Sequence, residues 1–232
     1  MKEIFDTYMD NAFGAYEQAG VKFRQFENNY KQYFPLDKKA KLLDIGVGRG
    51  EMLACMKEWG YLNYLGIDIS PSTINYCQSL GLACQICDDV CAWLDKNRNT
   101  FSLITLLDVL EHIPKKQTIQ YLKAIRSALR DDGMLIVQVP NLQAPDGQLH
   151  RYNDFTHEVG YIEHSLRQVL VASGFTGIQM NGFEGFVTGG VLENLRKLLR
   201  SLLWLYTRLK RDITGNLNPR ILYPVFYAVA RK

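Results

Sequence analysis

Short apolar runs alternate with amphipathic segments over the middle of the chain. Five of these runs predict β-strands: KLLDIG, YLGIDI, ACQIC, FSLITLLD and GMLIVQV. Apolar residues recur at helical spacing in the segments between them. Buried strands that alternate with helices are typical of a parallel sheet covered on both faces. The pattern therefore predicts an α/β fold with a doubly wound sheet.

Local signals predict where some helices begin and end. Ser70 and Pro71 stand as N-cap and first residue of one amphipathic segment, and Gly81 follows its end. Another helix, KKQTIQYLKAIRSALR, is expected to end at the DDG turn. Residues 1–40 are helical and aromatic in pattern, and we expect them to cover the domain.

The pattern changes after the fifth strand. Residues 141–164 form a polar and aromatic connection that is too long for a linker inside a compact domain. A helix (SLRQVLVASG), a strand (GIQMNGF) and a last strand (within ILYPVFYAVARK) are predicted beyond it. The chain shows no repeat and no change of composition, so residues 1–232 are predicted to form a single domain.

Composition narrows the function classes. Hydrophobic residues make up 47% of the 232 residues, which is enough for one core. The net charge of +3 does not demand a nucleic-acid partner. The first residues lack the pattern of a signal peptide, and no apolar run approaches the roughly 20 residues of a spanning helix. We expect a cytoplasmic protein.

Three of the five cysteines are closely spaced, at Cys84, Cys87 and Cys91. No second thiol pair follows, and a strand would point Cys84 and Cys87 to opposite faces. We therefore predict reduced, buried thiols and no cysteine metal site.

The loop DIGVGRG follows the first predicted strand. Gly46 and Gly48 allow positive φ and leave room for a ligand near the backbone. A triphosphate loop would continue with Lys after its last glycine, but Gly50 is followed by Glu51. A dinucleotide loop would place the third glycine one position later, and Glu51 with Asp44 would repel a pyrophosphate. The loop therefore favours a cationic ligand.

LLDIGVGRG resembles the glycine-rich signature of class I S-adenosylmethionine-dependent methyltransferases. The resemblance implies a Rossmann-like seven-stranded sheet, mostly parallel, with the last strand antiparallel and helices on both faces. It implies S-adenosylmethionine as cofactor, whose sulfonium and ammonium suit an acidic loop, and S-adenosylhomocysteine as product. The cofactor-binding residues that it implies are Asp44, Gly46, Gly48, Gly50, Asp68, Ile69, Asp89, Val90 and Asp108.

Downstream segments match the family in order. YLGIDIS puts Asp68 about twenty residues past the loop, where the family's acid binds both ribose hydroxyls. QICDDV puts Asp89 where the family's acid meets the adenine amino group, with a backbone N–H from Val90; Asp88 is the alternative acid. LLDVLEHIP ends the fourth strand with Asp108, at the family's opening to the methyl-transfer site.

Open α/β sheets bind ligands beyond the carboxyl ends of their strands, so the acceptor is expected there. One candidate cluster is DVLEH, in which Glu111 and His112 follow Asp108. In the similar ubiquinone-biosynthesis O-methyltransferases, an acid-x-x-Glu-His pattern holds a divalent cation. Two adjacent ligands rarely suffice alone, so the leading interpretation assigns no metal and keeps His112 as a catalytic candidate, with magnesium as an alternative.

The second cluster is LHRYNDFTHE, within the long connection. We predict His157 as general base, with its tautomer set by Asp154 or Glu158. Arg151 and Tyr152 would hold the acceptor, and Glu158 would join them in the substrate site. The alternative is that Asp154 and His157 only fasten the loop by a hydrogen bond.

This cluster, followed by SLRQVLVASGF, resembles methyltransferases of bacterial surface-polysaccharide pathways, which O-methylate sugars of lipopolysaccharide or capsule chains. The match runs from about Lys41 to Phe175, although EVGYIEHSL lacks the usual proline. The implied partner is a saccharide or glycan acceptor. Two alternatives stay open: a metal-assisted quinone or small-aromatic O-methyltransferase, and a non-catalytic adenosine-binding partner module.

Residues 190–211 form a basic amphipathic segment with apolar residues at alternating spacings of three and four. Three interpretations are open. The helix packs on the domain with a solvated outer face, it forms a dimer, or it lies on an anionic membrane leaflet, which Trp204 among arginines would suit. The sequence predicts no oligomeric state.

Overall fold

The computed structural model describes residues 19–232. Its strands are β1 (Lys41–Ile45), β2 (Asn63–Asp68), β3 (Cys84–Ile86), β4 (Phe101–Leu107), β5 (Leu129–Pro140), β6 (Thr176–Gly182) and β7 (Val225–Arg231). They form one sheet in the order β3-β2-β1-β4-β5-β7-β6. Strands β1 to β5 pair in parallel, and β7 runs antiparallel to both β5 and β6. The predicted doubly wound sheet, with its last strand antiparallel, is confirmed.

Helices connect the strands on both sides of the sheet. In the described residues they are α1 (Ala19–Tyr30), α2 (Glu51–Glu58), α3 (Pro71–Ser79), α4 (Val90–Lys96), α5 (Thr118–Ala128), α6 (Gly147–Tyr152), α7 (Glu163–Ala172) and α8 (Val191–Ile213). Short 3-10 turns span Lys31–Tyr33 and Leu110–His112. None of the described helices is long and apolar enough to cross a membrane.

The core is divided into two clusters by the sheet. Leu42 of β1 belongs to one cluster, and its neighbours Leu43 and Ile45 belong to the other. All three are at most 1% exposed, which explains why apolar residues occur on both faces of this strand.

Helix α1 and the residues just after it pack on the core cluster that contains Leu42, through aromatic contacts. The ring of Tyr30 meets that of Tyr227 edge to face at 5.0 Å, and Phe34 meets Trp59 in the same way at 4.9 Å. Residues 1–18 of the predicted cover lie outside the described residues.

Two boundaries differ from the expectation. Helix α5 ends at Ala128 and not at the DDG turn, because Leu129 is fully buried and pairs with Phe101 of β4. The long connection is not irregular throughout, since it contains α6 and a parallel bridge between Asn141 and Tyr161.

The cysteines are free thiols. Cys55, Cys77, Cys84 and Cys87 are buried, and Cys91 is partly exposed. Burial raises the pKa of the Cys77 thiol to about 12, so this group is inert at neutral pH.

Candidate active site

A cavity of about 1070 Å³ opens at the carboxyl ends of β1, β2 and β4. Carboxylates dominate its charged lining. The acidic residues along it are Asp44, Glu51, Asp68, Asp88, Asp89, Asp108, Glu111 and Asp154. Lys22, His112, His150 and His157 are the basic side chains among its described lining residues. This surplus of acid is favourable for a cationic ligand.

The glycine loop brings backbone close to the cavity. Gly46 has φ +76°, and a Cβ there would lie 2.3 Å from Cγ2 of Val109. Gly48 has φ +50° and also lines the cavity. Gly50 does not reach it; this residue packs against Leu82 and Cys77 and turns the chain into α2.

Asp44 is the penultimate residue of β1 and is 2% exposed. Its carboxylate accepts a hydrogen bond of 2.6 Å from the hydroxyl of Thr105. Burial raises the pKa of Asp44 to about 7, and the nearby charges of Asp68 and Glu51 act in the same direction. A bound cation would reverse this shift.

Two further carboxylates lie at the end of β2 and just after β3. Asp68 accepts from the backbone N–H of Ser70 at 2.9 Å, and burial raises its pKa. Asp89 is the N-cap of α4 and accepts from the N–H of Ala92 at 2.9 Å. Asp88 and Val90 lie beside it along the cavity. Ile69 lines it too, so Gly50 alone of the predicted cofactor residues lies away from the cavity.

Asp108 follows β4 in a left-handed conformation, with φ +54°. A residue other than glycine adopts this conformation at a cost, which is common at functional sites. Oδ2 of Asp108 accepts from the amide of Gln138 at 2.7 Å, and Oε1 of Gln138 accepts from the hydroxyl of Tyr30. Burial raises the pKa of the Asp108 carboxyl group, and the positive charge of Lys22 acts in the opposite direction.

The sequence analysis missed Tyr30, Gln138 and Lys22. A polar residue inside the apolar run GMLIVQV was the available signal for Gln138. Nothing in the local pattern distinguished Tyr30 or Lys22 from other residues of an aromatic, charged helix.

His157 is held by the main chain. Its Nδ1 lies 2.9 Å from the carbonyl oxygen of His150. A carbonyl only accepts, so Nδ1 carries the proton and Nε2 of the neutral ring keeps its lone pair. The expectation that Asp154 or Glu158 sets this tautomer was wrong, because the bond that sets it comes from the backbone of α6.

Asp154 acts on a different residue. Its carboxylate accepts from the backbone N–H and from the hydroxyl of Thr156, at 2.8 and 2.6 Å. The same hydroxyl lies 2.8 Å from Nδ1 of His112. Burial lowers the pKa of His112, and the neighbouring His157 adds to this effect. Asp154 therefore positions His112 through Thr156.

Glu111 is 2% exposed, and neither of its carboxylate oxygens has a hydrogen-bond partner among the described residues. Burial raises its pKa well above the ordinary value, and the charge of Asp108 adds to this. Ligand atoms of Glu111, His112 and His157 all lie within 4.8 Å of one another. One carboxylate and two imidazoles are a donor set that suits a divalent transition metal.

The predicted substrate residues lie outside the cavity lining. Arg151 donates to the carbonyl oxygens of His157 (2.5 Å) and Glu158 (3.3 Å), so its guanidinium fastens the segment. Tyr152 is 79% exposed. Successive side chains of a helix point about 100° apart. In α6, His150 therefore faces the cavity and Arg151 does not.

Comparisons with known proteins agree with this architecture. The family described as methyltransferase domain matches residues 19–180. A SAM-dependent methyltransferase from Archaeoglobus fulgidus is similar in structure, with 20% identity, 99% of each chain covered and a TM-score of 0.70. A possible histamine N-methyltransferase from Thermotoga maritima shares 12% identity over 99% of this chain and 98% of its own, with a TM-score of 0.69.

A third structure is a 1,6-didemethyltoxoflavin-N1-methyltransferase from Burkholderia thailandensis with bound S-adenosylhomocysteine. It shares 17% identity over 99% of this chain and 85% of its own, with a TM-score of 0.61. No curated protein matches the sequence. Two of these structures are named for N-methylation, so the shared fold does not fix the acceptor atom.

The family match extends over most of the chain and ends within β6. Its residues contain the glycine loop and all of the carboxylates that surround the cavity. The chain belongs to the methyltransferase-domain family: it is a class I S-adenosylmethionine-dependent methyltransferase.

Proposed function

We propose that this enzyme transfers a methyl group to a hydroxyl, on a sugar of a bacterial surface glycan such as lipopolysaccharide or capsule, in the cytoplasm. His157 is the general base. The observation that carries this proposal is the bond from Nδ1 of His157 to the carbonyl of His150, which leaves Nε2 basic beside the cavity.

The cavity lining fits the cofactor. S-adenosylmethionine supplies an activated methyl group on a sulfonium, and its positive charge suits the carboxylates of Asp44 and Asp68. We assign Asp68 to the ribose hydroxyls and Asp89 to the adenine amino group, with Val90 offering its N–H. Gly46 and Gly48 line the cavity at positive φ, so backbone without a side chain faces the ligand there.

The acceptor class is supported by the segment that follows β5. His150, Asn153 and Phe155 line the cavity from this segment. Polar groups next to an exposed aromatic ring suit a sugar, which has hydroxyls at its edge and an apolar face. Asp154 and Thr156 keep His112 in place beside the base.

In the reaction, His157 takes the proton of the acceptor hydroxyl on Nε2 while the oxygen bonds to the methyl carbon. Bound S-adenosylmethionine would supply this methyl group, and S-adenosylhomocysteine would leave with the electron pair of the broken carbon–sulfur bond. Alignment of donor and acceptor supplies about 7–11 kcal/mol, and a positioned base adds ~10²–10⁴-fold.

Labelled S-adenosylmethionine, incubated with candidate nucleotide sugars, glycans and quinones, tests the proposal when the products are analysed by mass. A methylated saccharide hydroxyl supports it, and a methylated quinone or amine overturns it. If His157→Ala leaves every biological activity unchanged, the non-catalytic module is the better interpretation.

A second candidate is a metal-assisted O-methyltransferase of quinones or small aromatics. The specific observation in its favour is Glu111, whose buried oxygens lack partners, next to His112 and His157. Activity that is lost on chelation and restored by magnesium or by a divalent transition metal supports this candidate. Activity that tolerates chelation supports the histidine base.

A further inference from the structure

Helix α8 lies beyond the residues that match the family, and it docks on the domain through polar contacts. Arg200 makes two hydrogen bonds to the carboxylate of Glu184, at 2.8 and 2.7 Å. The ring of Trp204 meets Tyr223 with centroids 4.7 Å apart. About two turns further on, Arg211 donates to the carbonyl of Gln143 at 2.6 Å.

The apolar side of α8 points to solvent. Its large apolar residues are between 46% and 89% exposed: Val191, Leu192, Leu195, Leu198, Leu199, Leu202, Leu203, Leu205, Tyr206, Leu209 and Ile213. At 3.6 residues per turn they span about 160° of the helix surface, opposite the line of Arg200, Trp204 and Arg211. We call this apolar side the outer face. The orientation of α8 is therefore the reverse of that of an ordinary surface helix, which turns its apolar stripe toward the core.

The orientation of α8 changes the interpretation of Trp204. Its position among arginines suited a membrane surface in the sequence, but the structure places it on the docked side. The helix does pack on the domain, through the side that was expected to face water. A contiguous apolar face of this length marks an interaction surface.

Positive charge flanks the outer face. Arg196 and Lys210 lie along one edge and Arg208 along the other, and all three are exposed. The acid at the start of the helix, Glu193, is turned inward, where it accepts from Thr188. Asp212, the exposed acid of the described helix, lies on the same side as Arg208 and closer to the apolar residues.

A second copy of this chain fits the outer face poorly. A two-helix seam uses residues at spacings of three and four, and would leave Leu198, Leu203 and Leu205 at its rim. An antiparallel pair would also bring Arg196 against Lys210 of the other copy. A planar anionic surface covers the whole apolar arc and complements the basic edge formed by Arg196 and Lys210, with Arg208 on the other side.

We infer that the outer face of α8 docks on an anionic lipid bilayer, lying in the headgroup region without crossing it. The bond from Arg211 to Gln143 joins α8 to the segment that lines the cavity. That segment exposes Leu149, Tyr152 and Phe155. If the acceptor is lipid-linked, which rests on the proposed function, docking brings it to the cavity; the docking itself does not depend on the acceptor.

Vesicle flotation of the full chain tests the inference. Phosphatidylcholine vesicles with and without phosphatidylglycerol are compared at low and high salt. We expect binding to the anionic vesicles that weakens as salt screens the basic side chains of α8. Replacing Arg196, Arg208 and Lys210 by Gln should lower the partition coefficient more than about 10-fold.

The apolar face is tested with the triple variant Leu195→Gln, Leu202→Gln and Leu209→Gln. These positions are exposed, so folding should be unaffected, while binding should fall on the order of 100-fold. Leu36→Gln and Leu62→Gln, at leucines that are 97% and 71% exposed elsewhere, are the matched controls and should bind as the parent does.

Two outcomes overturn the inference. Absence of lipid binding together with a dimer that the leucine variant dissociates assigns the face to a second copy. Absence of both removes α8 as an interaction surface. A protein that floats but methylates no saccharide would overturn the proposed function and leave the docking surface intact.

Discussion

The rings of His112 and His157 stand edge to face with their centroids 4.8 Å apart. Each ring is held separately through Nδ1, that of His157 by the carbonyl of His150 and that of His112 by the hydroxyl of Thr156. Because the two anchors are independent, one imidazole can be replaced while the other stays in position.

Replacing the base should slow turnover without affecting the cofactor. We expect His157→Gln to lower kcat by ~10²–10⁴-fold, because the acceptor then keeps its proton. Isothermal calorimetry should find the affinity for S-adenosylhomocysteine unchanged. His164→Gln, at an exposed histidine of α7, is the control and should retain full kcat. Equal effects of both changes would speak against a catalytic role.

The stability of the ligand-free protein should fall as pH rises. The pKa of Asp44 is raised to about 7, so between about pH 4 and 7 the folded state binds more protons than the unfolded state. Urea unfolding should show a loss of up to about 1.4 kcal/mol per pH unit within this window. The raised pKa of Asp68 adds a contribution of the same sign.

Asp44→Asn should remove its share of this slope. Asp132→Asn is the control, because this side chain is 80% exposed, and its slope should match that of the parent. The same reasoning predicts that the affinity for the cationic cofactor increases with pH toward 7, since binding favours the ionised Asp44. A slope that survives in Asp44→Asn would refute the assignment.

The close approach at the glycine loop can be separated from backbone strain. Gly46→Ala and Gly60→Ala both force alanine into a positive φ, at a cost of roughly 1–2 kcal/mol. At Gly60 the new Cβ meets open space, whereas at Gly46 it lies 2.3 Å from Val109. Calorimetry should therefore find weaker cofactor binding for Gly46→Ala only. Equal losses in both variants would indicate strain alone.

The docking of α8 should depend on Arg200. Arg200→Met keeps the apolar stem but removes both hydrogen bonds to Glu184, so local opening of the helix should become about 10-fold easier or more. Hydrogen exchange of the amides of residues 191–213 measures this. Arg196→Met, on the exposed side, should leave exchange unchanged. Unaltered exchange in both variants would show that other contacts hold the helix.

Much of the fold could be predicted because its signals are local. Ser70 caps α3 by accepting from the N–H of Thr73, with Pro71 as first residue and Gly81 at positive φ beyond its end. The end of α5 could not be predicted, because the DDG sequence is typical of a turn. What extends the chain there is the pairing of Leu129 with Phe101, a contact between distant segments.

The residues of the site differ in the same way, between those with a local signal in the sequence and those without one. Residues at the carboxyl ends of strands, such as Asp68 and Asp108, could be located from the order of the motifs. The bond of His157 to a main-chain carbonyl carries no signal in side-chain chemistry. The stripe of α8 was evident from its spacing, but an amphipathic pattern does not say which face docks, and here Arg200 holds the polar one inward.

The position of β7 has a consequence for the order in which the molecule assembles. In the described sheet β6 pairs with β7 and not with β5, so β6 leaves the ribosome well before the strand that will hold it. We expect β1 to β5 to close first, with β6 and the segment after it waiting as unattached chain. The apolar edge of β5 stays uncovered during that interval, and this is the stage at which a nascent chain would most need a chaperone.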